Sequence, residues 1–296
     1  MKNEIIKSFD NEKLYIKIYE IDNPKGAVQV VHGMMEHQDR YEELAHKLNK
    51  IGYVVVTSDL RGHGKNAKEL GFFKEKLGYE ALVKDQIEIT KYIKNSLNIS
   101  NVIIFGHSMG SIITRVLIKN NSNDFEKVIL TGFPNYNPLV SIAVSIGSLV
   151  KFFKGSHKKS KLLHSLALGP FEKAIKNSNS NLDWLSVNSL NVYNYINDNL
   201  CGFEFSNSAY LDLFHLLKLM GNKKTNNLKN LPILMLCGEN DPCTGGIKGI
   251  KSSVNILKKQ GFSHIRNISY PGFRHEILNE NENEIVYKDI TNFIEE

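Results

Sequence analysis

The sequence predicts an α/β architecture: a mostly parallel central sheet flanked by helices, with a helical segment inserted between two core strands. Three observations predict it. Short, wholly apolar runs bounded by turn residues recur along the chain. Stretches of helical periodicity lie between them. The alternation lapses once, between Pro134 and Asn230. Runs that are apolar at every position suit parallel strands covered on both faces. Strand–helix alternation with short links argues for such a sheet.

The elements follow in order. Ile5–Phe9 and Leu14–Ile18 read as an opening hairpin around Asp10-Asn11. Ala27–Val31 is the first buried run and stops at His32-Gly33, and Tyr41–Lys50 reads as a helix. Tyr53–Ser58 repeats the strand pattern, and Tyr79–Ser96 is helical with Leu82, Val83, Ile87, Ile89 and Ile93 apolar. Val102–Phe105, a helix over Ser111–Lys119, and Val128–Thr131 continue the alternation. After the lapse come Ile233–Leu236, a helix over Gly246–Lys259, a weaker strand over Ile265–Ser269, and a closing helix over Glu284–Ile294. The core is therefore expected over residues 1–133 and 231–296, and a helical cap over 134–230. The boundary near residue 206 stays open, because the helix around Ala209–Met220 suits either part.

With 42% hydrophobic and 23% charged residues over 296 positions, the composition is that of a globular protein, which excludes collagen-like, disordered and membrane-bundle classes. That length buries a sizeable core without staples. Cys201, Cys237 and Cys243 form neither a disulfide framework nor a zinc-ligand spacing, which suits a reducing compartment. Met1–Asp10 holds no apolar run of signal-peptide length, and no stretch reaches the ~18 apolar residues of a membrane span. A cytoplasmic location is the expectation, with peripheral membrane contact of the cap as the one membrane association weighed. The net charge of +6 lies in the insertion, which carries eleven lysines, five acids and no arginine. Charge concentrated in one segment points to an acidic partner surface.

Gly106-His107-Ser108-Met109-Gly110 is a G-x-S-x-G pattern between a strand and a helix, the setting of a nucleophile elbow. The start of a helix brings free N–H groups and partial positive charge to that serine. A serine hydroxyl needs a base, and the base an orienting acid. On the α/β-hydrolase fold these follow in the order Ser, acid, His. Asp241 lies just past Ile233–Leu236, with Glu239 as a rival acid, and His275 just past Ile265–Ser269. Both sit where parallel strands end at a crevice. An oxyanion hole needs two backbone N–H groups. Met109, directly after the nucleophile, is expected to give one, and Met34, with Met35 as its rival, the other.

Several segments together resemble monoacylglycerol lipases and bacterial lysophospholipases of the serine aminopeptidase S33 type. His32-Gly33-Met34-Met35-Glu36-His37 with Arg40-Tyr41 resembles their oxyanion loop, and Asp59-Leu60-Arg61-Gly62-His63-Gly64 their next strand-end motif. Gly106–Ser111 resembles their elbow. Asp241-Pro242 with Gly245-Gly246, and Tyr270-Pro271-Gly272 through His275-Glu276 to Asn279-Glu280, resemble their acid and base segments. The likeness extends to the cap at Asp183-Trp184-Leu185-Ser186, Tyr195, Asp198 and Leu200-Cys201-Gly202-Phe203. The resemblance implies hydrolysis of a fatty-acyl ester of glycerol or lysophospholipid type. The cap departs from it at Val187-Asn188, where the family often has Arg-Asp, and at Asp198-Asn199-Leu200, where it has Asp-Pro-Leu.

Trp184, Tyr195, Phe203 and Phe205 are expected to line or buttress an acyl tunnel, against the alternative that they only pack the cap together. Leu139–Phe153 is a mostly apolar helix with Ser141, Ser145 and Ser148 on one stripe, followed by Lys151, Lys154, Lys158, Lys159 and Lys161. It reads either as a pocket roof with solvated lysines or as a surface that meets an anionic membrane. His63 reads as a loop brace. No phosphate loop, dinucleotide fingerprint, zinc motif or nucleic-acid fold is found, so neither cofactor nor metal nor nucleic acid is expected. The expected partner is a small lipid-like ester. A peptidase or small-ester hydrolase on the same fold, and a non-catalytic ligand-binding protein, are the alternatives.

Overall fold

The structure is a computed structural model that describes residues 1–223, 225 and 228–296. Lys224, Asn226 and Asn227, inside the expected insertion, lie outside the described residues. The strands are β1 (Lys2–Lys7), β2 (Lys13–Tyr19), β3 (Gly26–Val31), β4 (Tyr53–Ser58), β5 (Val102–His107), β6 (Lys127–Thr131), β7 (Ile233–Gly238) and β8 (Ile265–Tyr270). They form one sheet in the order β1-β2-β4-β3-β5-β6-β7-β8. The first two pairings, β1 with β2 and β2 with β4, are antiparallel, and the rest are parallel. The order reverses at β3, so a crevice opens past the carboxyl ends of β3 and β5, where open α/β sheets bind ligands.

Strand residues alternate between two cores. Val28, Val30, Ile103, Phe105, Leu234 and Leu236 join the core under α1 (Glu42–Lys50) and α10 (Glu284–Glu295). Ala27, Val31, Val102, Ile104, Ile233 and Met235 join the core under α2 (Gly78–Asn95), α3 (Met109–Asn121) and α9 (Gly246–Lys259). Both faces are covered, which is why these strands are apolar at nearly every position. Gln29 is the exception within β3. Its amide donates to the Gln86 carbonyl, and Thr90 of α2 donates to its oxygen, so the buried amide is satisfied.

The opening strand differs from expectation. It runs over Lys2–Lys7 rather than Ile5–Phe9. Ser8 leaves the ladder to donate to Asp85, and Phe9 lies beneath the Arg61 guanidinium at 5.6 Å. β8 is an edge strand with exposed Arg266 and Asn267, which explains its weak apolar signal.

Between β6 and β7 come α4 (Val140–Lys154), α5 (Lys161–Ala167), α6 (Gly169–Glu172), α7 (Ser189–Asn197) and α8 (Asn207–Gly221). Helix α8 packs on α2 and α3 of the core as well as on α4. Asn188 caps α7 by accepting from Leu190 and Asn191 N–H. The segment leaves β6 past Tyr136, and its last helix ends at Gly221. These two touch so closely that a Cβ on Gly221 would stand 2.2 Å from the Tyr136 ring. Among the described residues, no helix is long and apolar enough to cross a membrane.

Candidate active site

Ser108 sits between β5 and α3 with φ +49° and ψ −118°, a strained backbone for a residue with a side chain. The turn is pinned from both sides. Ser108 N–H donates to the Thr131 carbonyl at 3.0 Å, and its own carbonyl accepts from Ser111 N–H at 2.9 Å and from the Ser111 hydroxyl at 2.6 Å. Gly110 allows the tight turn, since a Cβ there would lie 2.0 Å from the Val31 carbonyl.

The loop after β8 carries His275 to this turn. Its Nε2 lies 2.9 Å from Ser108 Oγ and its Nδ1 3.0 Å from Asp241 Oδ2. His275 and Asp241 are each 2% exposed. The other Asp241 oxygen accepts from Cys243 N–H at 2.8 Å. Asn240 N–H donates to the Phe273 carbonyl, and Glu239 N–H to that of Tyr270, so the acid and base loops are tied together. The Glu239 side chain is exposed, and the hydrogen bonds of the His275 ring go to Asp241 and Ser108 instead. Burial pushes the His275 imidazole down, but the Asp241 carboxylate, with Glu276 and Glu36 behind it, outweighs burial, and the net shift is upward.

The loop after β3 faces the elbow. A Cβ on Gly33 would stand 3.1 Å from that of Ser108. Gly33 N–H donates to Glu36 Oε1 at 2.5 Å, and the Gly33 carbonyl accepts from His32 Nδ1 at 2.8 Å. Met35 N–H is taken by His63 Nε2 at 3.3 Å, while His63 Nδ1 donates to the Arg61 carbonyl. His63 is therefore a brace that must be neutral, and burial, aided by His32, lowers its pKa to about 3. With Met35 committed, the N–H groups of Met34 and Met109 remain without a hydrogen-bond partner among the described residues.

Behind this loop lies a buried ion cluster to which the sequence reasoning gave no role. Arg40 forks onto both Glu276 oxygens at 2.7 Å each and reaches Glu36 at 2.9 Å. Tyr41 donates to Glu36, and Asn191 of α7 to Glu276. Burial raises both carboxyl groups, yet Arg40 holds each below its ordinary value, Glu276 at about 2. Glu36 lies in the loop before the turn Gln38–Tyr41 that carries Arg40, so no helical spacing marks that pair. Glu276 lies too far along the chain for spacing to reveal it.

A cavity of about 800 Å³ opens above Ser108 and His275. Its walls are mainly apolar, with Val140, Ala143 and Ile146 of α4, Leu168, Phe171 and Leu213 among them. Trp184 is on the wall, its ring 4.8 Å from that of His275. Tyr195 is on the wall too, but its hydroxyl donates to the Met35 carbonyl at 2.7 Å. Phe203 and Phe205 correct the expectation of a lining role. They sit behind the wall, with rings 5.3 and 5.5 Å from His63, and pack with Phe73 around that buried imidazole. Helix α4 roofs the cavity with one face, and Leu149, Phe152 and Phe153 stand exposed on the rest. Lys151 is tied to Ser208 and the Glu75 carbonyl, whereas Lys154, Lys158, Lys159 and Lys161 are exposed. The three cysteines are free and buried.

The family described as serine aminopeptidase, S33, matches residues 22–282. A monoacylglycerol lipase of Mycolicibacterium smegmatis is 23% identical over 274 residues, 92% of this chain and 89% of that protein. A monoglyceride lipase homolog of monkeypox virus is 31% identical over 131 residues, 44% of this chain, and the match spans only 46% of the viral protein. The crystal structure of a thermostable carboxyl esterase from Bacillus coagulans, in complex with glycerol, superposes with a TM-score of 0.90 at 26% identity, over 99% of this chain and 97% of that one.

Proposed function

The chain belongs to the serine aminopeptidase S33 family of α/β-hydrolases, and from that membership we propose that it is a serine carboxylester hydrolase acting on lipid-like esters, a monoacylglycerol or a lysophospholipid. One observation carries the reading: His275 bridges Ser108 and Asp241 on the floor of an apolar cavity of about 800 Å³, beside two uncommitted N–H groups.

The chemistry follows from the geometry. His275 Nε2 takes the Ser108 proton as Oγ attacks the ester carbonyl. Asp241, bonded to Nδ1, fixes the tautomer and stabilises the imidazolium. The carbonyl oxygen becomes an alkoxide, and Met34 and Met109 N–H groups donate to it. His275 returns the proton to the leaving alcohol, and an acyl group stays on Ser108. Water attacks that acyl-enzyme by the same steps and releases the fatty acid.

Cavity size and wall chemistry favour an acyl chain over a peptide. An aminopeptidase must seat a free ammonium against carboxylates. Here Glu36 and Glu276 are spent on Arg40, and Glu172 on His164 at 2.7 Å, which leaves exposed Glu204 as the one cavity-lining glutamate without an ion pair among the described residues. The reading extends to contact of the insertion with an anionic lipid surface. Exposed Leu149, Phe152 and Phe153, next to exposed Lys154, Lys158, Lys159 and Lys161, support it.

A panel of monoacylglycerols, lysophospholipids and aminoacyl amides, assayed on wild type and on Ser108→Ala, tests the function. Wild type is expected to turn over the lipid esters and to be labelled by a fluorophosphonate. Ser108→Ala is expected to lose about 10⁶-fold in kcat and all labelling. Equal labelling of both proteins overturns the serine mechanism, and preferred turnover of the amides overturns the substrate class.

A further inference from the structure

The loop that offers Met34 N–H is held from two sides, and one of them is the insertion. On the core side, His32 holds the Gly33 carbonyl, Glu36 the Gly33 N–H, and His63 the Met35 N–H. On the other side the Met35 carbonyl accepts two hydrogen bonds, from the Tyr195 hydroxyl at 2.7 Å and from Gly202 N–H at 3.0 Å. Both donors belong to the segment between β6 and β7. Tyr195 lies on α7 and is buried, with the Arg40 guanidinium 5.0 Å over its ring.

Met35 needs such a hold. Its φ is +57°, a left-handed conformation that a methionine leaves unless its neighbours over-determine it. Relaxation of φ at Met35 would turn the adjoining peptide and carry Met34 N–H off its aim. The anchoring turn is itself rigid. Asp198 Oδ1 accepts from Leu200 N–H at 2.8 Å, and the Asp198 carbonyl from Cys201 N–H at 2.9 Å. Asp198 Oδ2 meets His37 Nε2 at 2.8 Å, a second tie between the same turn and the same loop.

We propose that Tyr195 is a positioning residue for the reaction: with Gly202 N–H, its hydroxyl holds Met35 left-handed and thereby aims the Met34 N–H at the developing alkoxide. The inserted segment is then part of the oxyanion hole as well as its cover. This inference rests on the oxyanion role given to Met34 under the proposed function.

The test uses the full chain, a short soluble ester that makes little use of the apolar wall, and a trifluoromethyl ketone, whose adduct on Ser108 carries an oxyanion. Tyr195→Phe keeps the ring and removes the hydroxyl. It is expected to lower kcat about ten- to hundred-fold, the scale of an ångström-sized misplacement of a catalytic group. KM is expected to stay nearly unchanged, and ketone affinity to fall by the same factor as kcat/KM. Unchanged kcat, or a rise in KM alone, overturns the inference and leaves Tyr195 as a wall residue. If Tyr195→Phe fails to fold, Asp198→Asn loosens the same turn and is expected to show the same split between kcat and KM at smaller amplitude. Its absence there overturns the inference equally. The underlying reading is tested by fluorophosphonate labelling of wild type at Ser108: lack of labelling removes that reading, whereas a labelled wild type with an unimpaired Tyr195→Phe removes only the inference.

Discussion

At the floor of the cavity Asp241, His275 and Glu276 are buried and hydrogen-bonded, each to a named partner. At the outer end of α4, an exposed rim beyond the residues that line the cavity, Phe152 and Phe153 stand 81% and 78% exposed, and the nearby lysines 154, 158, 159 and 161 make no ion pair among the described residues. The two regions respond to change by different physics. Removing one partner on the floor strands a buried charge or donor, which is expensive whatever the reaction. Removing a side chain at the rim strands nothing, because water already covers it. On the proposed function, the floor carries the chemistry and the rim bears on the approach of the substrate.

The contrast breaks most visibly at Asp241. Asp241→Asn is expected to lower kcat about 10⁴-fold, as loss of the orienting acid does in a comparable triad. Glu239→Gln, at an exposed position two residues away, is expected to leave kcat unchanged. Steady-state kinetics on a soluble ester decide it, and the reverse pattern moves the acid to Glu239.

A pH profile sharpens the comparison at intermediate amplitude. His275 acts as a base only when neutral, and its pKa is raised above the ordinary 6.5. Activity is thus expected to fall as pH drops through a value above 6.5, by roughly tenfold per pH unit once below it. Burial lowers this pKa and Asp241 raises it, so the residual activity of Asp241→Asn should show its acid limb at lower pH. A limb that stays in place would mean that the carboxylate is not the group that sets it.

The smallest effect on turnover is expected at the rim. Replacing Lys154, Lys158, Lys159 and Lys161 by Gln should leave kcat on a soluble ester unchanged. Co-sedimentation with anionic vesicles should drop, since each lysine near such a surface contributes about 1 kcal/mol. Wild-type binding should also weaken with added salt. No binding by wild type at low salt leaves α4 as a roof alone.

The same division decides what the sequence disclosed. Tyr53–Ser58 and Gly246–Lys259 have the bounds that periodicity predicts, because buried strands and amphipathic helices write their burial into adjacent residues. Ser108, Asp241 and His275 meet where strand ends suggested, since each lies just past a run that could be read. The hydrogen bond from Tyr195 to Met35 spans 160 residues and joins a side chain to a backbone carbonyl, so no local pattern betrays it. Phe203 and Phe205 misled for a related reason. Aromatic residues near a cavity look alike in sequence whether they face it or cover His63 behind it.

The contact of Tyr136 with Gly221 has a consequence for how such a chain diversifies. The chain passes Tyr136 soon after β6, and the last helix before β7 ends against it at Gly221, so the stretch between these two residues is an excursion with a fixed base. Closing such an excursion becomes only about 0.6 kcal/mol harder with each doubling of its length. Length can therefore vary there at little closure cost, except where the stretch is tied to the core: α8 on α2 and α3, Asn191 on Glu276 and Asp198 on His37. On the role proposed for Tyr195, any longer or shorter version must also bring a hydroxyl and an N–H back to the carbonyl of Met35.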